Sequence, residues 1–410
     1  MFVHIGEPKT GTSYLQQTLW ENRVTLAAEG IVLPGYSNGG HARASQDLRE
    51  TPRLASDPTD PWIGEWDVLA GQSLRARQTA VISNELLATC GPGQADRAVR
   101  SLLDAQVHAV VTVRDFAALL PAEWQESVKT RGTATWDDWL DQVVDSTHAA
   151  DRRRRSWFWR AHDTLAILRL WSQLIPPDQV HVITVPRQGQ DDELWLRFAS
   201  VLGIDRAAVD LPKTRANTSL GPVETEFLRR MNEALPDDLP AWFYRWNVKR
   251  ILAQDVLSGR PRRERLSLPA RHAAWASEQA EIVAAGLRES GYHIVGDLDD
   301  LIPPRAVADY VGSVALPAEE LLDAAVHAAA ALVQRQYCGE IVTSSGDLAA
   351  SLRPVRPGRP GRRRAASQLI WTVLIRSRVK RMLYSASFRP SVRRLRILAW
   401  CVVTRSGRRR

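Results

Sequence analysis

The stretch MFVHIGEPKTGTSYL, residues 1–15, decides how the chain is read. Its apolar, β-branched start predicts a strand ending at Ile5, and Gly6 follows at once. From Thr12 or Ser13 onward a helix is expected, with Leu15, Leu19 and Leu26 on one face. A loop that opens a helix turns backbone N–H groups and the positive end of the helix dipole toward an anion. The loop comes close to the triphosphate-binding pattern, which needs Gly, four residues, Gly, Lys and then Ser or Thr. Gly6 and Gly11 keep that spacing and Ser13 supplies the hydroxyl, but Thr12 stands where the lysine belongs. The lysine present, Lys9, lies inside the loop. This predicts an anion site without the usual apparatus for a nucleoside triphosphate and its magnesium, or else a tight turn before a helix.

Further apolar runs at residues 31–33, 80–83, 108–113 and 180–185 alternate with helical patterns at 95–105, 121–130, 136–144, 163–174, 193–202 and 222–234. Such alternation predicts an α/β fold: a three-layer α/β/α domain of P-loop nucleotide-binding type, with a central, mostly parallel sheet. Gly221 and Pro222 open the last of those helices, since proline suits the first helical position. Residues 236–335 read as all-helical apart from a loop at 296–304, ending in an Ala-rich helix from Pro317 to about Tyr337. Tryptophans such as Trp157, Trp159, Trp171, Trp242 and Trp246 fall at helical spacings among leucines and read as core or lid packing. The domain therefore runs over residues 1–335. The segment RPVRPGRPGRRR, residues 353–364, is an extended Pro/Gly/Arg linker, and 365–410 is a basic amphipathic tail.

Charge divides the chain sharply. Of 54 Lys and Arg residues, 18 lie from Arg353 onward, where no acid remains; residues 1–352 carry 36 bases against 46 acids. The overall surplus of +8 is thus a property of the tail, and it does not make the acidic body a nucleic-acid binder. Cys90, Cys338 and Cys401 are scattered and odd in number, which fits neither a disulfide framework nor a zinc site, so no metal is expected. The amino terminus runs directly into a strand with no leader pattern, and no apolar run approaches the roughly 18 residues that span a bilayer. A cytoplasmic protein is expected. The tail segments beginning at Ser367 and Ser391 mix apolar stripes with arginines, as helices at anionic membrane surfaces do. That places the protein peripherally at the inner membrane face, with nucleic acid or the acidic body as competing partners for the tail.

Beyond these readings, HIGEPKTGTSYLQ, residues 4–16, resembles the 5′-phosphosulfate loop of sulfotransferases that use 3′-phosphoadenosine 5′-phosphosulfate (PAPS). The resemblance continues through ISNELL at 82–87, VTVRDF at 111–116, HVITVPR at 181–187 and SGYHIVGDLDDLIP at 290–303, and points to a bacterial branch of that family. It implies that Pro8, Lys9, Thr10, Gly11, Thr12 and Ser13 bind the donor, with Lys9 at the oxygen bridging phosphate and sulfonate. It also implies a 3′-phosphate site at Arg114, helped by a serine eight residues on. Here that position is Ala122, so the hydroxyl is missing; Ser127, five positions later, is turned about 140° away. Arg114 and Asp115 also read as a charged pair where a buried strand meets solvent.

Sulfonate transfer requires a base for the acceptor proton, and Glu85, after the third apolar run, is the candidate; the resemblance implies a His or Glu there. A carboxylate of ordinary pKa, about 4.3, is a weak base, so burial is expected to raise it; alternatively Glu85 favours a helix start. His41, in the SNGGHARAS segment, reads as a second base, a substrate ligand or a solvated loop histidine. His162 and Asp163 read as a helix cap. Asn217 and Ser219 resemble a segment near the nucleotide, and equally a helix entry. The expected activity is transfer of a sulfonate from PAPS, without a metal, to a hydroxyl or less often an amine of a small-molecule, carbohydrate or lipid acceptor. A P-loop kinase or NTPase, and a non-catalytic membrane-associated adaptor with a degenerate nucleotide site, are the alternatives.

Overall fold

The computed structural model describes residues 1–51, 62–149, 155–187, 192–206, 209–212, 220–261, 266–303 and 316–339. Two compact units divide the chain, Met1–Ser351 and Leu352–Arg410. The second contains the expected linker and basic tail and lies outside the described residues.

Six strands build the sheet of the first unit: β1 (Phe2–Gly6), β2 (Ile31–Val32), β3 (Thr79–Ser83), β4 (His108–Val113), β5 (Val180–Thr184) and β6 (His293–Val295). Their order is β2-β3-β1-β4-β5-β6 and every pairing is parallel. The chain leaves β1 for β2 and β3 on one side and then crosses to β4 on the other. That reversal opens a crevice at the carboxyl ends of β1 and β4, where open α/β sheets bind ligands.

Strand alternation distributes side chains to two apolar layers. Val3, Ile5, Ala109, Val111 and Val182 pack on one face with Ala44, Leu48, Trp66 and Trp171 from helices. Val81, Val110 and Ile183 pack on the other with Leu15, Leu19, Trp195 and Phe198. Helices thus cover both faces, which is why the strands read as near-continuous apolar runs. The architecture matches the expected three-layer α/β fold. A third cluster is built mostly from helices and is rich in aromatic rings, joining Phe116, Trp124, Trp136, Phe158 and Trp159 to Tyr244, Val248 and Leu252. Of the tryptophans singled out above, Trp159 and Trp171 are buried, Trp242 and Trp246 are half-buried, and Trp157 is exposed.

Four local expectations are corrected. Residues 236–335 are not all helical, because β6 pairs with β5 in the register His181↔His293, Val182↔Ile294, Ile183↔Val295. These residues follow directly on a long helical pattern, and pairing with the edge of β5 specifies the strand. The SNGGHARAS segment is not a loop but helix Asn38–Leu48, drawn into regular structure by burial of Ala44 and Leu48. The helix expected from Pro121 starts a turn earlier, at Phe116, because the Asp115 side chain caps it by accepting from Ala118 N–H at 2.9 Å. Within the helical part, Tyr244–Val256 winds as a π-helix, a form with no separate sequence signature. Among the described residues, no helix is long and apolar enough to cross a membrane.

Candidate active site

The loop after β1 is fixed by backbone geometry. Gly6 and Gly11 have φ of 109° and 88°, in the left-handed region. A side chain at Gly6 would place its Cβ 2.8 Å from the Glu85 Cα, so the residue must be glycine for β1 and the start of the next turn to meet. Lys9 also takes positive φ, 58°. Glu7 N–H donates to the Thr112 carbonyl at 3.0 Å, and Thr10 Oγ1 donates to the Glu7 carbonyl at 2.5 Å. Thr10 and Thr112 hydroxyls also meet at 2.5 Å, which ties the loop to β4. Pro8, Thr10 and Thr12 are buried, while Ser13 is exposed at the start of helix Thr12–Glu21. Among the described residues no side chain caps that helix, which leaves its N-terminal dipole directed at the crevice.

Beneath the loop lies a buried polar layer. His4 Nδ1 is 2.8 Å from Ser83 Oγ, and burial pushes its pKa down to about 3, so the ring is neutral. Glu7 accepts from Thr164 Oγ1 at 2.6 Å and sits 3.3 Å from His162 Nδ1, whose Nε2 is 3.4 Å from Glu123. Burial disfavours the His162 imidazolium, but the flanking Glu123 and Glu7 carboxylates outweigh it and raise the pKa to about 9. His162 is therefore a buried cation joining the loop to helix Phe116–Lys129. Asp163 is the cap, accepting from Ala166 N–H at 3.1 Å.

The Lys9 side chain crosses to helix Phe116–Lys129 and donates to Glu126 at 2.6 Å. Lys249 reaches the other oxygen of Glu126 at 2.7 Å. Burial opposes the Glu126 charge, but Lys9, Lys249 and Lys129 outweigh it and hold the carboxyl well below its usual range. Arg114, just past β4, donates through Nη1 to the Lys9 carbonyl at 3.2 Å. Ala122 lies one turn before Glu126, partly exposed, while Ser127 is turned toward Gly132.

On the other side of β1, Glu85 begins the short 3-10 turn Glu85–Thr89, capped by Asn84. Its carboxylate, half-buried, accepts from the Gln16 amide at 2.8 Å; Gln16 accepts in turn from Asn38 at 3.2 Å. His41 is fully buried. Its Nε2 is 2.8 Å from the Pro34 carbonyl, and Ser83 N–H donates to Nδ1 at 3.2 Å, so both ring nitrogens are engaged. Burial draws its pKa below the usual histidine value against the pull of those backbone contacts. The solvated-loop reading of His41 is thus corrected. Asn217 and Ser219 lie outside the described residues.

The crevice edge therefore gathers Lys9, Gly11, Arg114 and Glu85 from β1, β4 and β3, and leaves His41 behind β3. Sequence reasoning did not single out Glu126, Lys129, Lys249 or Glu7. Glu126 and Lys129 stand three positions apart, a spacing common to charges on any helix surface, and nothing local links them to Lys249.

Fold and site together define an α/β protein in which a glycine-bounded loop opens a helix at the switch point of a six-stranded parallel sheet. No protein-family model matches the chain, and no curated protein matches it. Among solved structures it is similar to the crystal structure of a sulfotransferase from Alicyclobacillus acidocaldarius, at 17% identity and a TM-score of 0.31, over 57% of this chain and 92% of that one. Sheet order and the all-parallel register define the fold.

Proposed function

We propose that the chain transfers a sulfonate from PAPS to a hydroxyl, or less often an amine, of a small-molecule, carbohydrate or lipid acceptor. The observation that carries this reading is the position of Lys9: the cation belongs to the loop itself, while Thr12, where triphosphate chemistry needs its lysine, is buried. In this reading the loop from Pro8 to Ser13 holds the 5′-phosphosulfate against the uncapped helix start. Arg114 holds the 3′-phosphate, and Asn217 and Ser219 complete the nucleotide contacts.

As the bond from sulfur to the phosphate oxygen breaks and the acceptor oxygen bonds to sulfur, Lys9 neutralises charge on the leaving phosphate. Glu85 takes the acceptor proton, held in orientation by the Gln16 amide. His41, with both nitrogens occupied, positions the end of β3 and moves no proton. The basic tail at 365–410 rests on an anionic membrane surface at its cytoplasmic face, which deletion of 353–410 tests by loss of co-sedimentation with anionic vesicles.

Calorimetric titration of the full chain with 3′-phosphoadenosine 5′-phosphate, and separately with ATP and magnesium, tests the donor. Preference for the bisphosphate is expected. Preference for ATP returns the loop to phosphoryl transfer, and affinity for neither leaves a non-catalytic adaptor. Glu85→Gln is expected to keep nucleotide affinity within about twofold and to lower turnover by about 10²-fold or more. Unchanged turnover would remove Glu85 from the chemistry.

A further inference from the structure

Glu126 has more cationic neighbours than a structural ion pair needs. Lys9 and Lys249 approach its two oxygens at 2.6 and 2.7 Å, and Lys129 Nζ lies 3.7 Å away. Three ammonium groups against one carboxylate leave a surplus of two positive charges. Like charges this close repel one another, and such clusters mark places where a further anion belongs. The Lys9 and Lys249 side chains are each 27% exposed and that of Glu126 25%, which opens this side of the group to a ligand, while Lys129 backs it at 11%.

Three separate elements converge to make it: the loop after β1, helix Phe116–Lys129 and the π-helix Tyr244–Val256. The π-helix is pinned to its neighbours by the Tyr244 hydroxyl, 2.7 Å from Asn232 Oδ1 and 3.3 Å from the carbonyl of Val128, the residue before Lys129. Lys249 is thus aimed by packed scaffold, not left to sample a free surface. Burial lowers the Lys129 pKa to about 8 against the attraction of Glu126, so the side chain remains largely cationic at neutral pH.

We propose that Lys129 and Lys249, beside Lys9, form a subsite for a phosphate or sulfate group, with the Glu126 carboxylate as its resident counter-ion. The incoming oxyanion takes over the lysine contacts, and Glu126 competes with it. The subsite rests on the sulfonate-transfer reading only for the source of that group: the 3′-phosphate of the donor, or an oxyanion already carried by the acceptor. Glu126 lies one helical turn beyond Ala122, so the lysines bring charge to the region where a serine hydroxyl is missing.

The test titrates the full chain calorimetrically with inorganic sulfate, then with 3′-phosphoadenosine 5′-phosphate and adenosine 5′-phosphate. The variant Lys129→Met/Lys249→Met is expected to weaken sulfate binding about 10-fold or more, and Glu126→Gln to tighten it about threefold or more. If the double variant also weakens the bisphosphate but spares the monophosphate, the group is the nucleotide's. If it spares both nucleotides and weakens only sulfate added at saturating bisphosphate, the group is the acceptor's. Sulfate affinity unchanged in the double variant, or weakened in a folded Glu126→Gln, overturns the proposal. Should the double variant unfold, Lys249→Gln alone is read the same way. Lysine-dependent sulfate binding without bisphosphate affinity would sink sulfonate transfer and leave the subsite standing.

Discussion

The loop at residues 6–11 and the π-helix at Tyr244–Val256 each deliver a lysine to the same carboxylate, yet they keep their shapes by different means. The loop is shaped largely by its own residues: glycines at positive φ and a threonine hydroxyl bonded back to the Glu7 carbonyl three positions away. The π-helix has no comparable local device. Tyr244, Val248, Leu252, Ala253 and Val256 are buried against the Trp-rich helices, and packing sets its winding. A loop of this shape can therefore be written in a dozen residues, whereas the charge that shares its lysine's partner can come from a segment more than two hundred residues away.

The sharpest way to break this comparison is Lys9→Ala. If the loop lysine acts on the leaving group and Lys249 only on a neighbouring oxyanion, turnover falls about 10³-fold while bisphosphate affinity falls far less. Equal losses in Lys9→Ala and Lys249→Ala would erase the distinction.

A second measurement addresses what joins the loop to the helix that carries Glu126. His162 has its folded pKa raised from 6.5 to about 9, so its stabilisation is complete below about pH 6.5 and lost as pH rises through about 9. The loss amounts to roughly 3 kcal/mol at the general conversion of about 1.4 kcal/mol for each pKa step. Urea midpoints at pH 6.5 and pH 9.5 should converge toward each other in His162→Gln, relative to the native chain. An undiminished alkaline loss in the variant would place its origin elsewhere.

The smallest effect belongs to the π-helix. Tyr244→Phe removes the hydroxyl held by Asn232 and Val128, and should cost about 1 to 2 kcal/mol in urea unfolding. Faster amide exchange is expected within Tyr244–Val256 and not in the loop. Exchange that quickens equally in both would mean that the loop leans on this packing too.

Much of the fold was legible. The strand-loop-helix unit and strands β1, β3, β4 and β5 follow from apolar runs long enough to show themselves, because central strands buried on both faces need continuous apolar sequence; the run at 31–33 also marked β2, a two-residue edge strand. β6 escaped because its residues follow a long helical pattern and owe their extended form to pairing with the edge of β5. His41 looked like a loop residue because Asn-Gly-Gly favours turns, and burial of Ala44 and Leu48 overrode that preference. His162 looked like a cap because its partners Glu7 and Glu123 are distant in sequence and only meet it in the folded core.

The sequence by itself determined the parallel α/β architecture and the turn that opens the first helix, since both depend on local periodicity and on backbone angles that glycine permits. Only the tertiary structure decided which charges share the crevice. Lys9, Glu126, Lys129 and Lys249 converge from three elements, and Coulomb attraction acts on distance in space, which one-dimensional spacing does not encode.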